Sequence, residues 1–186
     1  MKLGIMLAGR GPEDIARRLE QAREAGFSLC QLNIHQTGLT RTDMAAIAAS
    51  MLEFGVRPVA MGVYVNPLRA EEAGPLGVSL ADLNLALHSL DILGARRVVF
   101  WSGTHADALY APHDENESDD SLAALREFLA RVVRETRARH YTLLIEPWRT
   151  HVLGSEDRIR QFHRSLPPFV EERVRYVLDV PGLMTP

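Results

Sequence analysis

Two acidic residues stand directly after apolar runs, at positions where a carboxylate is costly to bury. Glu146 follows Tyr-Thr-Leu-Leu-Ile, and Asp179 follows Arg-Tyr-Val-Leu. A carboxylate in such surroundings is usually paired, hydrogen bonded or bound to a metal, and its oxygens suit hard divalent cations. The two positions therefore predict a shared metal site. The alternative is that Glu146 caps a helix or pairs with Arg149, and that Asp179 begins a turn before Pro181.

The segments that must position these carboxylates alternate between short apolar runs and longer amphipathic ones, which predicts parallel β-strands joined by helices. The predicted strands are 2–7, 28–33, 57–63, 97–101, 141–146 and 175–179. The predicted helices are 12–25, 41–54, 80–93, 122–139 and 156–165. Thr40 with Asp43 and Ser79 with Asp82 predict capping boxes at the starts of the second and third helices.

The connections that follow the strands are long at 64–78, 102–121 and 147–154. In parallel α/β folds the ligand lies at the carboxyl ends of the strands, where these connections begin. A chain of 186 residues can bury one sizeable core, so residues 1–186 are expected to form a single domain.

The order of several short motifs resembles that of the xylose-isomerase-like TIM-barrel superfamily. The motifs are Ala25-Gly26-Phe27 before a strand ending in Leu32-Asn33, Leu93-Gly94-Ala95 before Val98-Val99-Phe100-Trp101-Ser102-Gly103, Leu144-Ile145-Glu146-Pro147, and Val177-Leu178-Asp179. The resemblance covers nearly the whole chain and implies an α/β fold of the (β/α)8 TIM-barrel type. A closed barrel takes about 250 residues, so we expect an incomplete one, with about six parallel strands and five to six helices.

The superfamily includes sugar (phosphate) isomerases, ketose 3-epimerases and related hydrolases, and the resemblance implies a role for both acidic residues. A Glu ending the fifth strand and an Asp ending the sixth bind a divalent metal, and the Glu moves a proton beside the sugar carbonyl. Glu146 and Asp179 match these positions. The metal is expected to be Mn²⁺ or Mg²⁺, with Zn²⁺ as an alternative, and it would polarise the carbonyl and stabilise an enediolate.

The sequence also departs from the pattern of the superfamily. Members usually add a His from a seventh strand and a Glu from an eighth, and many carry a His where Gly182 stands here. The chain is therefore expected to be a fragment, a truncated product, or a subunit that completes its barrel with another chain. Catalysis by the isolated monomer is not expected.

Four polar or aromatic residues near the ends of the second and third strands are candidate substrate contacts. Asn33 ends the second strand, and His35 lies where the superfamily often places a substrate or metal contact. Tyr64 and Asn66 could donate hydrogen bonds to sugar hydroxyls, although Asn66 before a proline is also an ordinary turn starter. A loop histidine is more often a surface residue.

Further candidates follow the fourth and fifth strands. Trp101 and Ser102 would supply an aromatic wall and a rim contact, or else a buried Trp before a tight turn. Arg149 could hold a phosphate or carboxylate of the substrate, and His151 could assist proton transfer. Simple loop packing is the alternative for both.

Composition narrows the classes of partner. A net charge of -3 and a pI near 6.2 give no reason to expect broad attraction to nucleic acid or anionic lipid, so a small sugar or hydroxy-carbonyl compound is the expected partner. No apolar run approaches the ~20 residues that span a bilayer.

The single cysteine, Cys30, and the lack of a signal-peptide pattern predict a cytoplasmic protein. An open sheet edge would invite pairing into homo-oligomers.

Two other functions remain open from the sequence. One is phosphoester hydrolysis at a zinc cluster, as in the endonuclease relatives, with His105 and His113 approaching a metal. The other is a non-catalytic truncated barrel that folds, or binds sugar, without turnover.

Overall fold

Six parallel strands form one sheet in which each strand pairs with its neighbour in sequence. The computed structural model describes residues 3–72, 78–136, 138 and 140–183. The strands are β1 (Ile5–Gly9), β2 (Leu29–Ile34), β3 (Arg57–Gly62), β4 (Arg97–Trp101), β5 (Thr142–Glu146) and β6 (Val174–Tyr176). The predicted fold class, an incomplete α/β barrel with about six parallel strands, is confirmed.

Helices connect the strands and cover one face of the sheet. The longer helices are α1 (Gly11–Glu24), α2 (Arg41–Phe54), α3 (Leu80–Leu93), α4 (Asp119–Glu135) and α5 (Glu156–Arg164), followed by the single turns α6 (Pro168–Glu171) and α7 (Val180–Leu183). None of the helices in the described part of the chain is long and apolar enough to cross a membrane.

The capping boxes predicted from the sequence are present, and they fix the starts of α2 and α3. The Thr40 backbone N–H donates to Asp43 Oδ2 at 2.7 Å, and the Ser79 N–H donates to Asp82 Oδ2 at 2.8 Å. Both helices have the predicted bounds, 41–54 and 80–93. Helix α4 begins earlier than predicted because Ser118 caps it by accepting from the Ser121 N–H. The predicted end of this helix at Arg139 is wrong, because α4 ends at Glu135 and Thr136 takes an extended conformation. The predicted start of the first strand at Lys2 is also wrong, because β1 begins at Ile5. Arg139 and Lys2 themselves lie outside the described residues.

The predicted end of the sixth strand is wrong, because β6 stops at Tyr176 and Asp179 lies three residues beyond it. The last strand-like bond runs from the Val177 N–H to the Ile145 carbonyl at 2.9 Å. In a parallel ladder, the next bond would come from the N–H of the residue after Glu146. That residue is Pro147, which has no N–H to donate. Pairing with β5 therefore ends before Asp179.

The two faces of the sheet differ in what they bury. Side chains that point towards the helices form a continuous apolar core, which includes Leu32, Leu83, Phe100 and Phe162, each 0% exposed. We call this side the outer face. The opposite side, the inner face, carries a smaller apolar cluster and several polar residues: Gln31, Asn33, Ala60, Tyr64, Val99, Trp101, Leu144 and Glu146.

Candidate functional site

Glu146 is the last residue of β5, on the inner face at the carboxyl end of the sheet. Its Oε2 accepts a hydrogen bond from the Tyr64 hydroxyl at 2.9 Å. Burial raises the pKa of the Glu146 carboxyl, the bond from Tyr64 opposes that rise, and the negative charge of Asp179 adds to it. The site thus holds a half-buried carboxylate beside a second carboxylate, which is an arrangement that protonation or a bound cation relieves.

A chain of hydrogen bonds extends from Glu146 across the inner face. The Gln31 side-chain amide donates to the Tyr64 hydroxyl at 3.1 Å and to Asn33 Oδ1 at 3.0 Å. Because side chains two residues apart on a strand point to the same face, Gln31 and Asn33 both lie on the inner face. Tyr64 can therefore receive a bond from Gln31 while it donates its own proton to Glu146. Sequence analysis identified Asn33, Tyr64 and Glu146 but missed Gln31.

Gly62 makes room for this chain of hydrogen bonds. It is paired with Asn33 in the β2–β3 register. A Cβ atom at position 62 would overlap Asn33 Oδ1, far inside van der Waals contact. Glycine is therefore required at this position for the Asn33 amide to occupy its place on the inner face.

Asp179 lies in the segment between β6 and α7. Its Oδ2 approaches Gly182, where an added Cβ would be 3.2 Å away. Its charge also raises the pKa of the Glu146 carboxyl, so the two acidic groups interact electrostatically. Among residues 3–72, 78–136, 138 and 140–183, no group of three or more His, Cys, Asp or Glu side chains forms a metal-binding cluster. Ligation of a metal by Glu146 and Asp179 therefore stays a prediction.

Four aromatic rings extend from Tyr64 along the ends of the strands, and we call them the aromatic wall: Tyr64, Trp101, Tyr110 and Trp148. The ring centroids of Tyr64 and Trp101 are 4.6 Å apart, those of Trp101 and Tyr110 are 6.2 Å apart, and those of Tyr110 and Trp148 are 4.7 Å apart. Trp101 is paired with Glu146 in the β4–β5 register. An apolar surface therefore stands beside the carboxylate. Tyr110, which is half exposed, was not among the predicted residues.

His151 lies behind the aromatic wall and is 2% exposed. Its Nε2 is 2.9 Å from the Leu109 carbonyl oxygen, and its ring packs edge-on against Trp101 at 5.7 Å. Burial lowers the pKa of His151 despite the bond to Leu109, which favours the neutral ring. The contacts tie the loop after β5 to the loop after β4. His151 therefore holds the two loops together. The proton-transfer role predicted for His151 stays a prediction.

Ser102 and Asn66 also connect the loops. Ser102 is 0% exposed, and its Oγ accepts from the Leu153 N–H at 3.2 Å. Asn66 Oδ1 accepts from the N–H groups of Leu68 and Thr104, and its amide donates to the Thr104 carbonyl at 2.8 Å. The bonds of Asn66 occupy most of the hydrogen-bonding capacity of a side chain that was predicted to contact sugar hydroxyls.

Asn116 makes a third connection of this kind and was not predicted. It is 2% exposed, its Oδ1 accepts from the His105 N–H at 2.8 Å, and its amide donates to Thr104 Oγ1 at 2.9 Å and to the Thr150 carbonyl at 2.7 Å. The loop after β4 is therefore bonded to the loop after β3 through Asn66 and to the loop after β5 through Asn116.

Two further predicted contacts lie at the periphery of the site. His35 follows β2, and its Nε2 is buried without a hydrogen-bond partner among the described residues. Burial and, to a smaller extent, Arg10 lower the pKa of His35. The Arg149 side chain is exposed, and its backbone N–H donates to the Gly182 carbonyl at 2.9 Å. Substrate contacts of both residues stay predictions.

The histidines proposed for a nuclease-like site belong to a separate cluster. The Nε2 atom of His105 is 2.8 Å from Ser121 Oγ, and its Nδ1 is 3.5 Å from the Glu115 carboxylate. The His113 ring lies 5.5 Å from that of His105 and accepts from the Glu115 N–H. These contacts lie within the loop after β4 and the start of α4.

Comparison with known proteins identifies the fold. No family model matches the sequence, and no curated protein matches it. Solved structures do match. A xylose isomerase-like TIM barrel protein from Mycobacterium smegmatis, in complex with magnesium, is similar with a TM-score of 0.72 and 14% identity over 98% of this chain and 65% of that chain.

Two enzymes with different activities are similar to a comparable degree. A D-psicose 3-epimerase, determined in the presence of D-fructose, has a TM-score of 0.66 and 16% identity over 95% of this chain and 62% of that chain. Endonuclease IV from Thermus thermophilus has a TM-score of 0.63 and 18% identity over 98% of this chain and 64% of that chain.

At these identities the similarity establishes the fold alone. The chain has the fold of the xylose isomerase-like TIM barrels, which confirms the resemblance seen in the sequence. It spans 62% to 65% of the length of the three structures named above. Because epimerases and endonucleases share this fold, the activity must be argued from the site.

Proposed function

We propose that this xylose isomerase-like barrel acts as a divalent-metal-dependent isomerase or epimerase on a small sugar or a related hydroxy-carbonyl compound. One observation carries the proposal. Glu146, at the carboxyl end of β5, has a pKa raised by burial, accepts a hydrogen bond from Tyr64 and feels the charge of Asp179. A carboxylate with a raised pKa is a stronger base than an exposed one, and at neutral pH it is better suited to removing a proton from carbon.

The chemistry of the base follows from its position. Glu146 takes the proton from the carbon beside the substrate carbonyl, which leaves an enediolate, and then holds that proton as a neutral acid. Return of the proton to the former carbonyl carbon, while the hydroxyl proton passes to the former carbonyl oxygen, isomerises the substrate. Epimerisation requires protonation from the opposite face by a second acid, which would come from outside the described residues. Tyr64 steadies Glu146 through its hydroxyl in either case.

The two carboxylates suit a hard cation, and they would supply part of its ligand shell. Glu146 and Asp179 offer carboxylate oxygens, the preferred ligands of Mg²⁺ and Mn²⁺, and their mutual repulsion would be relieved by a positive ion. When bound there, such a metal would polarise the substrate carbonyl and stabilise the enediolate. The remaining ligands would come from groups outside the described residues, or from a second copy that pairs with the edges of the sheet at β1 and β6.

The surroundings of Glu146 suit a small polyhydroxylated molecule. The aromatic wall offers an apolar surface to the C–H face of a sugar ring, and Tyr110 is its most exposed member, at 52%. The Asn33 amide and His35 Nε2 are polar groups that could form hydrogen bonds with the hydroxyls of the substrate. Arg149 is the candidate for a phosphate or carboxylate on the substrate.

Metal binding and proton exchange test the proposal directly. Calorimetry with Mn²⁺ is expected to show binding to the wild type and a loss of affinity of about tenfold or more in Glu146→Gln and Asp179→Asn. Glu115→Gln, which removes an exposed carboxylate from the loop after β4, serves as the matched control and should bind Mn²⁺ as the wild type does.

The catalytic arm of the test uses D₂O. Exchange needs only the base and not the full reaction, so a ketose incubated with the wild-type protein and Mn²⁺ should gain deuterium at the carbon beside its carbonyl even without turnover, as read by NMR. Glu146→Gln should abolish this gain. Full exchange in Glu146→Gln would contradict the proposal. Zinc-dependent cleavage of abasic DNA without exchange would instead favour the endonuclease-like alternative, and metal binding without either activity would favour a non-catalytic barrel.

A further inference from the structure

Helix α2 exposes apolar residues along the middle of its solvent side and also buries apolar residues against the core. Its core side buries Met44, Ile47 and Met51. Its solvent side exposes a stripe of small and apolar residues: Ala45, Ala46, Ala49 and Leu52. The solvent side of an amphipathic helix is normally polar, whereas the exposed charged residues of α2, Arg41 and Glu53, lie at its two ends. Leu52, which is 86% exposed, is therefore the most conspicuous apolar side chain on this surface.

The exposed stripe borders a groove between α2 and α3, with a volume of about 520 Å³. Its apolar lining residues include Met51 and Leu52 of α2, Ile92 of α3, and Pro58. Ile92, at 37% exposure, extends the apolar surface from α2 onto α3. The groove lies at the C-terminal ends of both helices, so it is at the end of the barrel opposite Glu146.

Two opposite charges line the same groove without neutralising each other. Arg57 and Asp91 are both exposed lining residues, and neither has a salt bridge or side-chain hydrogen bond within the described ranges. Asp91 lies in the last turn of α3, where the helix dipole disfavours an anion.

We infer that a second copy of this chain docks on the groove. A two-fold axis places the same patch on both partners, so a patch that contains one cation and one anion is complementary to itself. Leu52 of each copy packs into the groove of the other, and Arg57 of each copy pairs with Asp91 of its partner. The contact covers the bare face of α2, leaves the open edges of β1 and β6 free, and does not depend on the proposed activity.

Charge reversal tests this arrangement because the two-fold axis places residue 57 of each copy opposite residue 91 of the other. Arg57→Asp alone puts two acidic groups opposite each other twice, and Asp91→Arg alone does the same with two basic groups. Each single variant is therefore expected to raise the dimer dissociation constant by about tenfold or more in sedimentation analysis over a concentration series. Leu52→Glu should have an effect in the same direction.

Mixing the two single variants should restore the dimer, because both contacts across the axis then join an acidic group to a basic one. The Arg57→Asp/Asp91→Arg double variant should also dimerise. Glu20→Arg, a reversal of an exposed charge on α1, is the control that should change nothing. A monomeric wild type, or a dimer that is indifferent to both single reversals, would overturn the inference, as would single variants whose mixture stays monomeric.

Discussion

The outer and inner faces of the sheet are made by the same strands but are stabilised in different ways. On the outer face, side chains such as Phe100 are fully buried against the helices, and apolar contact satisfies them. On the inner face, Gln31, Tyr64 and Glu146 satisfy one another through hydrogen bonds. Alternation along a strand lets one sequence serve both faces. The comparison indicates that the outer face holds most of the stability, whereas the inner face carries the hydrogen-bonded polar residues of the candidate site.

The largest expected effect belongs to the outer face. Phe100→Ala should lower the free energy of unfolding by about 3–5 kcal/mol, because it removes a buried ring that packs edge-on against Phe128 at 5.8 Å. Urea unfolding monitored by circular dichroism measures the change. Glu146→Gln on the inner face is the matched comparison, and it should cost far less because it removes a half-buried charge. Equal losses from the two variants would contradict the division between the faces.

An intermediate effect is expected at Gly62, where the inner face is most crowded. Gly62→Ala should cost roughly 1–3 kcal/mol, because the new methyl group would overlap the Asn33 amide. The double variant Gly62→Ala/Asn33→Ala removes the clash and should recover part of that loss, which a double-mutant cycle measures. Strict additivity of the two substitutions would show that the amide does not occupy this space.

The smallest effect on stability, and the most informative about the site, is expected from Tyr64→Phe. The hydroxyl bond lowers the pKa of Glu146 against the effect of burial, so its loss should raise that pKa further. A carboxyl with a raised pKa holds its proton more tightly in the folded state. Stability should therefore fall as the pH rises above the ordinary value of 4.5, and the fall should be larger in Tyr64→Phe.

Carboxyl-carbon NMR titration of the wild type and Tyr64→Phe checks this shift. Tyr141→Phe removes a different tyrosine hydroxyl, one that interacts with Thr136 and not with Glu146, and it should leave the titration of Glu146 unchanged. A pKa that stays the same or falls in Tyr64→Phe would show that the hydrogen bond does not govern the carboxylate.

Sequence reasoning succeeded where local signals decide the structure. The boxes at Thr40 and Ser79 fixed the starts of α2 and α3 because a cap depends on residues three apart. The end of β6 was mispredicted because it depends on the missing N–H of Pro147 in the neighbouring strand. A propensity argument that considers one strand at a time cannot include that partner.

The same distinction explains which residues of the candidate site were found. Glu146 was visible because a carboxylate after an apolar run is unusual by itself. Gln31 gave no such signal, and its role depends on Tyr64, which lies 33 positions away in the sequence. Tyr110 joins the aromatic wall only because its loop folds back between Trp101 and Trp148. Asn66, in contrast, was noticed for its polarity, although its bonds serve the loops.

Asn66 and Asn116 have a consequence for how this scaffold can acquire new specificities. Through these two amides, the three loops that surround the carboxylate share one bonding network. A loop grafted alone from another barrel would leave Asn116 or Asn66 facing carbonyls and N–H groups in the wrong places. Transplanting the three loops together would preserve these hydrogen bonds. Recombination between barrels should therefore favour the exchange of all three loops as one unit.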